Sequence, residues 1–325
     1  MIIAIVIGLA LILAAAVVGI TNPLFFRRRP VAPRPEASAE RLQQGVRSVI
    51  QAGRFRTFTA HDVLGRAADA IRSGWQGAGF EVTEQPFEVP GIPHPYRNLM
   101  ITYGPSQAPR LVVGAHYDVC GEQDGADDNA SSIAVLLELA RMLRAEGPVL
   151  RHRIDLVAYC LEEPPFFGTH LMGSAIHARS LREVGAKVHL MLALEMLGYF
   201  AHEPGSQRYP IAPLRLLYPG TGDFIAIVGR PREFLAVRRV KALMAATSAI
   251  PVRSVNAPAA VPGVGFSDHL SYWNQGYPAV MITDTAFYRN PHYHQPSDTI
   301  ETLDFKSMAE VTRGVYAALT RWSGL

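Results

Sequence analysis

Three apolar runs with β-branched character lead into side chains that can bind a metal or move a proton. RLVVGA (110–115) leads into His116-Tyr117-Asp118, IDLVAY (154–159) into Glu162-Glu163, and VHLMLAL (188–194) reaches Glu195. A fourth group, Asp127-Asp128-Asn129, directly precedes a stretch of helical apolar spacing, and a fifth, His292-Tyr293-His294 with Asp298, follows AVMIT (279–283). Histidines and carboxylates drawn from five places favour a hard-to-borderline divalent cation, and a mixed nitrogen and oxygen set suits zinc. Each group alone has a plainer role: a histidine after a strand is usually structural, an aspartate before a helix caps it, and paired glutamates sit in solvated loops. The coincidence is what those roles leave unexplained. Two adjacent acids after a buried strand are costly without a positive neighbour, and the same edge carries three more candidate ligands, which together point to a metal site.

The elements that must position these groups follow from the same runs. With FIAIV (224–228) they read as buried strands. Ile133, Leu136, Leu137, Ala140 and Leu143 recur at helical spacing between the first two, and Met308, Val311, Val315, Leu319 and Trp322 mark a C-terminal helix. Strands alternating with helices predict an α/β fold: a three-layer α/β/α domain around a twisted, largely parallel mixed sheet. Ligands in such folds sit beyond the carboxyl ends of the strands, where the five groups converge. No internal repeat and no second linker interrupt residues 40–325, which are expected to form one domain.

The ordered series GAHYDV (114–119), GADDNAS (125–131), EE (162–163), LEMLGY (194–199), SDH (267–269) and YHQPSDT (293–299) resembles the co-catalytic zinc exopeptidases. That family comprises bacterial double-zinc aminopeptidases and related carboxypeptidases, with glutaminyl cyclases and transferrin-receptor-like proteins as relatives. The resemblance implies two zinc ions, one held by His116 and Glu195, the other by Glu163 and His294, with Asp127 bridging them and a cis peptide at Asp127-Asp128. It implies Glu162 as general base, Asp118 as the acceptor that orients His116, and a peptide substrate. Tyr293 stands where some relatives place an oxyanion donor, and a packing tyrosine is the other reading. Asp268 and His269 fall in a segment similar to an outer-shell strand end, and Arg289 would either meet a substrate carboxylate or pair with a site acid. Two features depart from the pattern: Glu195 stands where the family usually has aspartate, and Pro164-Pro165-Phe166-Phe167 replaces a glycine-rich turn. The implied activity is that of an aminopeptidase, with a carboxypeptidase, a glutaminyl cyclase and a non-catalytic receptor-like module as alternatives. Every position keeps a competent side chain, which argues against the last.

Composition limits the other classes. With 31 basic and 28 acidic residues in 325, the formal charge of +3 does not suit a nucleic-acid binder. Residues 1–26 carry no charge, and their length with no preceding basic region predicts an uncleaved single-pass transmembrane anchor rather than a signal peptide. Residues 27–39 (RRRPVAPRPEASA) read as an extended linker whose arginines favour a cytoplasmic catalytic domain. Four of the basic residues and one of the acidic ones lie in that linker, so the rest of the chain is formally neutral, with 27 of each. Cys120 and Cys160 are expected to be free thiols rather than a disulfide or soft ligands. Residues 200–223 form a long connection able to overhang the site.

Overall fold

The computed structural model describes residues 2–24 and 36–322. A first helix, α1 (Ile2–Thr21), is followed by α2 (Ala39–Ala52) and α3 (His61–Gly77), which lead into strands β1 (Thr83–Phe87) and β2 (Tyr96–Tyr103). The expected strands come next as β3 (Arg110–His116), β4 (Arg153–Tyr159) and β5 (Val188–Glu195), connected by α4 (Ser132–Glu146) and α5 (Gly173–Glu183). The chain closes with β6 (Ile225–Gly229), α6 (Phe234–Ala245), β7 (Val252–Asn256), α7 (His269–Asn274), β8 (Ala279–Thr283) and α8 (Phe305–Thr320).

All the strands form one eight-stranded sheet in the order β1-β2-β4-β3-β5-β8-β6-β7. Its centre is parallel: β3 pairs with β4 and β5, and β5 with β8, all in the same direction. The edges are antiparallel, through β1 and β2 on one side and β6 against β8 on the other. Alternate residues of β3 divide the core. Leu111 and Val113 face the layer built by α2, α4, α6 and α8. Val112 faces a smaller layer that includes Ala178 and Leu181 of α5 and Tyr272 and Trp273 of α7. The centre is buried on both faces, so these strands read as continuous apolar runs rather than alternating ones. Among the central strands every turn from strand to loop at the carboxyl edge therefore starts from a fixed position.

Gly114, two residues before His116, marks a close approach. A methyl group there would lie 2.1 Å from the Tyr159 ring. That ring cannot swing aside freely, because the Tyr159 and Tyr272 hydroxyls share a 2.7 Å hydrogen bond and the Tyr272 oxygen lies 2.6 Å from Nδ1 of His177.

The expected anchor is not supported. Among the described residues no helix is long and apolar enough to cross a membrane, which overturns the transmembrane assignment of residues 1–26 and the membrane localisation built on it. The end of α1 is instead committed to the domain. Lys241 Nζ donates to the carbonyls of Thr21 and Asn22, Ser254 Oγ donates to Thr21 O, and the buried Asn22 donates from Nδ2 to Phe234 O. The linker expected over 27–39 lies mostly outside the described residues; Ser38, at its end, caps α2 by accepting from Arg41 N.

Gly114→Ala is expected to lower unfolding free energy by about 1–3 kcal/mol, the usual cost of overpacking a filled core. Urea unfolding followed by circular dichroism measures it, and an unchanged midpoint would show that the Tyr159 ring can yield.

Candidate metal centre

His116 ends β3 and Glu195 ends β5, so two neighbouring parallel strands deliver them to the same edge. Glu162 and Glu163 follow β4, and His294 comes from the loop after β8. Between them stands Asp128. Its Oδ1 lies 3.3 Å from His116 Nε2 and its Oδ2 3.2 Å from His294 Nε2, so one carboxylate spans both imidazoles. Each histidine has a second acid of its own: Glu195 Oε1 lies 3.5 Å from His116 Nε2, and Glu163 Oε2 3.3 Å from His294 Nε2. Glu162 Oε2 is farther off, 3.9 Å from His116 Nε2. Asp128 Oδ1 and Glu163 Oε1 are buried without a hydrogen-bond partner.

The carboxylate between the two imidazoles is that of Asp128 and not of Asp127, one residue on from the expected bridge. Asp127 turns away, its Oδ1 accepting from Gly198 N at 2.8 Å and its Oδ2 from Asn290 Nδ2 at 2.7 Å. The cis peptide shifts by the same residue, to Asp128-Asn129. The neighbours of Asp128 explain why it faces the site. Asp298 accepts from the backbone N–H of Asp127 and of Asp128 through its two oxygens. Asn129 donates to Leu194 O and accepts from Met196 N, and Ser131 accepts from Leu197 N, which ties this turn to the end of the strand that carries Glu195.

Asp118 does more than orient one ring. Its carbonyl lies 3.2 Å from His116 Nδ1, while its two carboxylate oxygens accept from the backbone N–H of Glu162 and Glu163. Tyr293 stacks on His294 with ring centroids 3.8 Å apart. Ser267 donates to Glu195 Oε2 at 2.7 Å and so fixes the longer side chain that stands in place of aspartate. Asp268 is fully buried with neither oxygen hydrogen-bonded, whereas His269 points away to Val264 O. Arg289 is 3% exposed, with Nε donating to Gln207 Oε1 and Nη1 to Tyr199 O, which leaves it packed under the 200–223 connection rather than open to substrate. Phe166 and Phe167 of the proline-rich turn pack edge-on against Phe58 and Phe266.

One group escaped sequence reasoning, and a second stands nearer the site than expected. Arg56 is completely buried, and its guanidinium donates to the carbonyls of Gly53, Tyr117, Asp124 and Gly125. It therefore braces the His116 loop against the Asp128 turn, yet it lies in no motif and so carries no local signal. Cys120 is free, as expected of both cysteines, but its sulfur lies within 4.8 Å of ligand atoms of Glu163 and His294.

The electrostatics show an excess of acid. Burial pushes Glu162 well above the usual carboxylate range against the pull of His116, with Glu163 and Glu195 adding to the rise. Burial and Asp128 push Glu163 up to about 7. Burial opposes charging of His294, but hydrogen bonds to Asp128 and Glu163 hold it up at about 10. Burial also opposes charging of His116, and Glu195 and Glu162 outweigh it. Asp128 is lowered despite burial because both histidines face it. Clustered oxygen and imidazole donors with orphaned buried oxygens fit a divalent cation, whose charge would take over the role the protons play here. His116, Asp128 and Glu163 already bring ligand atoms within 4.8 Å of one another.

Residues 98–319 match peptidase family M28. The chain belongs to this family of metal-dependent peptidases. It is 46% identical over 298 residues to the uncharacterized protein YfbL of Escherichia coli (strain K12), covering 89% of this chain and 90% of that one. It is 27% identical over 252 residues to a probable leucine aminopeptidase of Trichophyton verrucosum (strain HKI 0517), covering 73% of this chain and only 58% of the relative. The Porphyromonas gingivalis glutaminyl cyclase structure shares the fold, with a TM-score of 0.63 at 23% identity over 87% of this chain and 98% of that one.

Asp128→Ala is expected to cut metal affinity by about a hundredfold or more, beyond the 10–100-fold typical of outer-shell changes, while Asp127→Asn loses less than that. Metal titration of the two variants checks the assignment; equal losses would leave the bridge unassigned between the neighbours.

Proposed function

We propose that the protein is a zinc-dependent aminopeptidase that removes the N-terminal residue from peptides. The observation that carries this reading is Asp128 shared between His116 and His294, each with a further acid, beside a glutamate that stands apart from both pairs. Two zinc ions would be held by His116 with Glu195 and by Glu163 with His294, Asp128 lying between. Zinc bound there would supply Lewis-acid chemistry toward the scissile carbonyl and a water.

The chain's own residues do the rest. Glu162 takes a proton from the attacking water and gives it to the departing amine nitrogen as the carbon–nitrogen bond breaks and the carbon–oxygen bond forms. Its place is fixed by Asp118, which holds the backbone N–H of Glu162, and by Leu161, whose φ of 63° turns the chain sharply just before it. Tyr293, stacked on His294, would donate to the carbonyl oxygen as charge develops.

Aminopeptidase activity is preferred over carboxypeptidase activity because Arg289, the cation best placed in sequence to meet a C-terminal carboxylate, is buried and donates to Gln207 and Tyr199. The acid-rich site suits a substrate ammonium group. Similarity to the probable leucine aminopeptidase of Trichophyton verrucosum supports the same choice.

Glu162→Gln is expected to lower kcat about 10²–10⁴-fold, the range of general-base catalysis, while zinc content stays near that of the wild type. Zinc quantification beside turnover of aminoacyl anilides measures both, and near-normal kcat in this variant would remove Glu162 from the mechanism. The wild type incubated with a peptide bearing N-terminal glutamine should release glutamine; ammonia release with the chain intact would replace hydrolysis by cyclisation.

A further inference from the structure

Cys120 stands at the metal centre without a part in the hydrolysis. It follows Asp118 by two residues, on the loop that leaves the carboxyl end of β3. It is the middle residue of a tight turn in which Gly121 N donates to Val119 O at 3.2 Å, and Val119 N in turn donates to Arg56 O at 3.1 Å. The turn holds the half-buried thiol where its sulfur, a carboxylate oxygen of Glu163 and an imidazole nitrogen of His294 all lie within 4.8 Å of one another.

A second observation at the same three groups points to a cation. Glu163 is 5% exposed, and while its Oε2 lies 3.3 Å from His294 Nε2, its Oε1 is buried with no hydrogen-bond partner. A buried carboxylate oxygen left unpaired is costly, and a cation held jointly by the three groups removes that cost. Thiolate, imidazole and carboxylate together suit zinc, whereas magnesium, calcium and manganese favour oxygen donors.

We propose that Cys120 is a metal ligand, its thiolate binding the ion that Glu163 and His294 would hold and its proton passing to solvent as the cation enters. With Asp128 between the imidazoles, that ion has four protein donors, whereas His116, Glu195 and Asp128 offer the other ion three. Four protein ligands close a tetrahedral zinc site, and three leave a position for water or substrate. The open position then falls on the side of His116, whose Nε2 lies 3.9 Å from Glu162 Oε2. The inference rests on the two-zinc reading, which it deepens by making the two ions unequal.

The test is a cobalt(II) titration of the metal-free, full-length protein followed by absorption. A thiolate on cobalt gives a near-ultraviolet charge-transfer band that imidazole and carboxylate ligands do not. The band should appear in the wild type, persist in Cys160→Ala, whose thiol is fully buried, and vanish in Cys120→Ser while the visible bands of bound cobalt remain. Cobalt bound by the wild type without the charge-transfer band, or a band that survives Cys120→Ser, would overturn the assignment. Cys120→Ser should also weaken cadmium binding by about tenfold or more and leave manganese binding within about twofold of the wild type. Equal losses for the two cations would mark general damage to the loop and count against a ligand role. If the variant does not fold, alkylation of the wild type by iodoacetamide decides: bound zinc should slow modification of Cys120 by about tenfold or more, and equal rates with and without zinc refute coordination. If neither cobalt nor zinc binds, the two-zinc reading falls and the thiolate ligand with it. A thiolate band in a protein that cleaves no aminoacyl anilide leaves Cys120 a ligand and removes the aminopeptidase reading alone.

Discussion

Glu162, Glu163, Glu195, Asp128 and Asp268 are buried in one site, and among the described residues His116 and His294 are the imidazoles that pair with them there. Two like charges about 4 Å apart repel by about 4 kcal/mol at the effective dielectric of a protein site, so five carboxylates cannot all ionise against two imidazolium groups. Protons relieve the crowding when nothing else is present, which is why Glu162 and Glu163 are raised and His294 is held protonated to about 10. A divalent cation relieves it differently, by letting the acids ionise and the imidazoles lose their protons. The same arrangement that is awkward as a set of side chains is therefore favourable as a set of ligands.

The set is held together by acids bound to backbone N–H groups and by neutral side chains. Backbone N–H groups serve Asp118 and Asp298, and amide or hydroxyl groups serve the turn after Asp128. Arg56 is the exception, a buried cation satisfied by four carbonyls and drawn to Asp298 and Asp118. Gly125 lets it approach: a side chain there would run into Val119 and Asp128 O at 2.3 and 2.4 Å. Leu161, Met196 and His294 take positive φ values, 63°, 48° and 54°, directly before Glu162, directly after Glu195, and at a site histidine itself. Non-glycine residues seldom occupy that region, and their concentration at the strand ends is a cost borne where the site is assembled.

How much of this was legible in sequence depended on burial. β3, β4, β5 and β8 sit at the centre of the sheet and appear as unbroken apolar runs, so their ends, and the groups at those ends, could be read directly. β1 is largely exposed and contains Pro86, and β7 alternates buried and exposed residues, so neither offers such a run. His116, Glu163, Glu195 and His294 are brought together where strand ends predicted them. The choice between Asp127 and Asp128 was not available, because adjacent acids in a turn point in opposite directions for reasons that lie elsewhere: their partners Gly198, Asn290 and Asp298 are 71, 163 and 171 residues from Asp127 in sequence. The end of α1 misled for a related reason. Its uncharged sequence resembles a membrane span although no described helix is long and apolar enough to cross one, while the polar contacts of Thr21 and Asn22 with Lys241, Ser254 and Phe234 depend on partners more than 200 residues on.

Topology accounts for the placement of an apolar cavity of about 250 Å³ beside the metal centre, over β6, β7 and β8. A parallel crossover must carry the chain back across the sheet and usually does so with a helix. β6 runs antiparallel to β8, and hence to β5, so the connection from β5 to β6 begins and ends at the carboxyl edge and needs no helix to return it. Residues 196–224 therefore stay at the edge where Glu195 stands, bridging Ala201 to Gly222 and contributing Tyr209, Leu214 and Tyr218 to the cavity wall. The β7 to β8 connection runs over the same face before α7, bringing Val261 and Phe266 to the wall and Ser267 to Glu195. Loops rather than a helix thus cover this half of the sheet, where the cavity lies, while α5 and α7 pack on the other half. The strand reversal that spares the chain a crossover is what leaves an apolar space open beside Glu195.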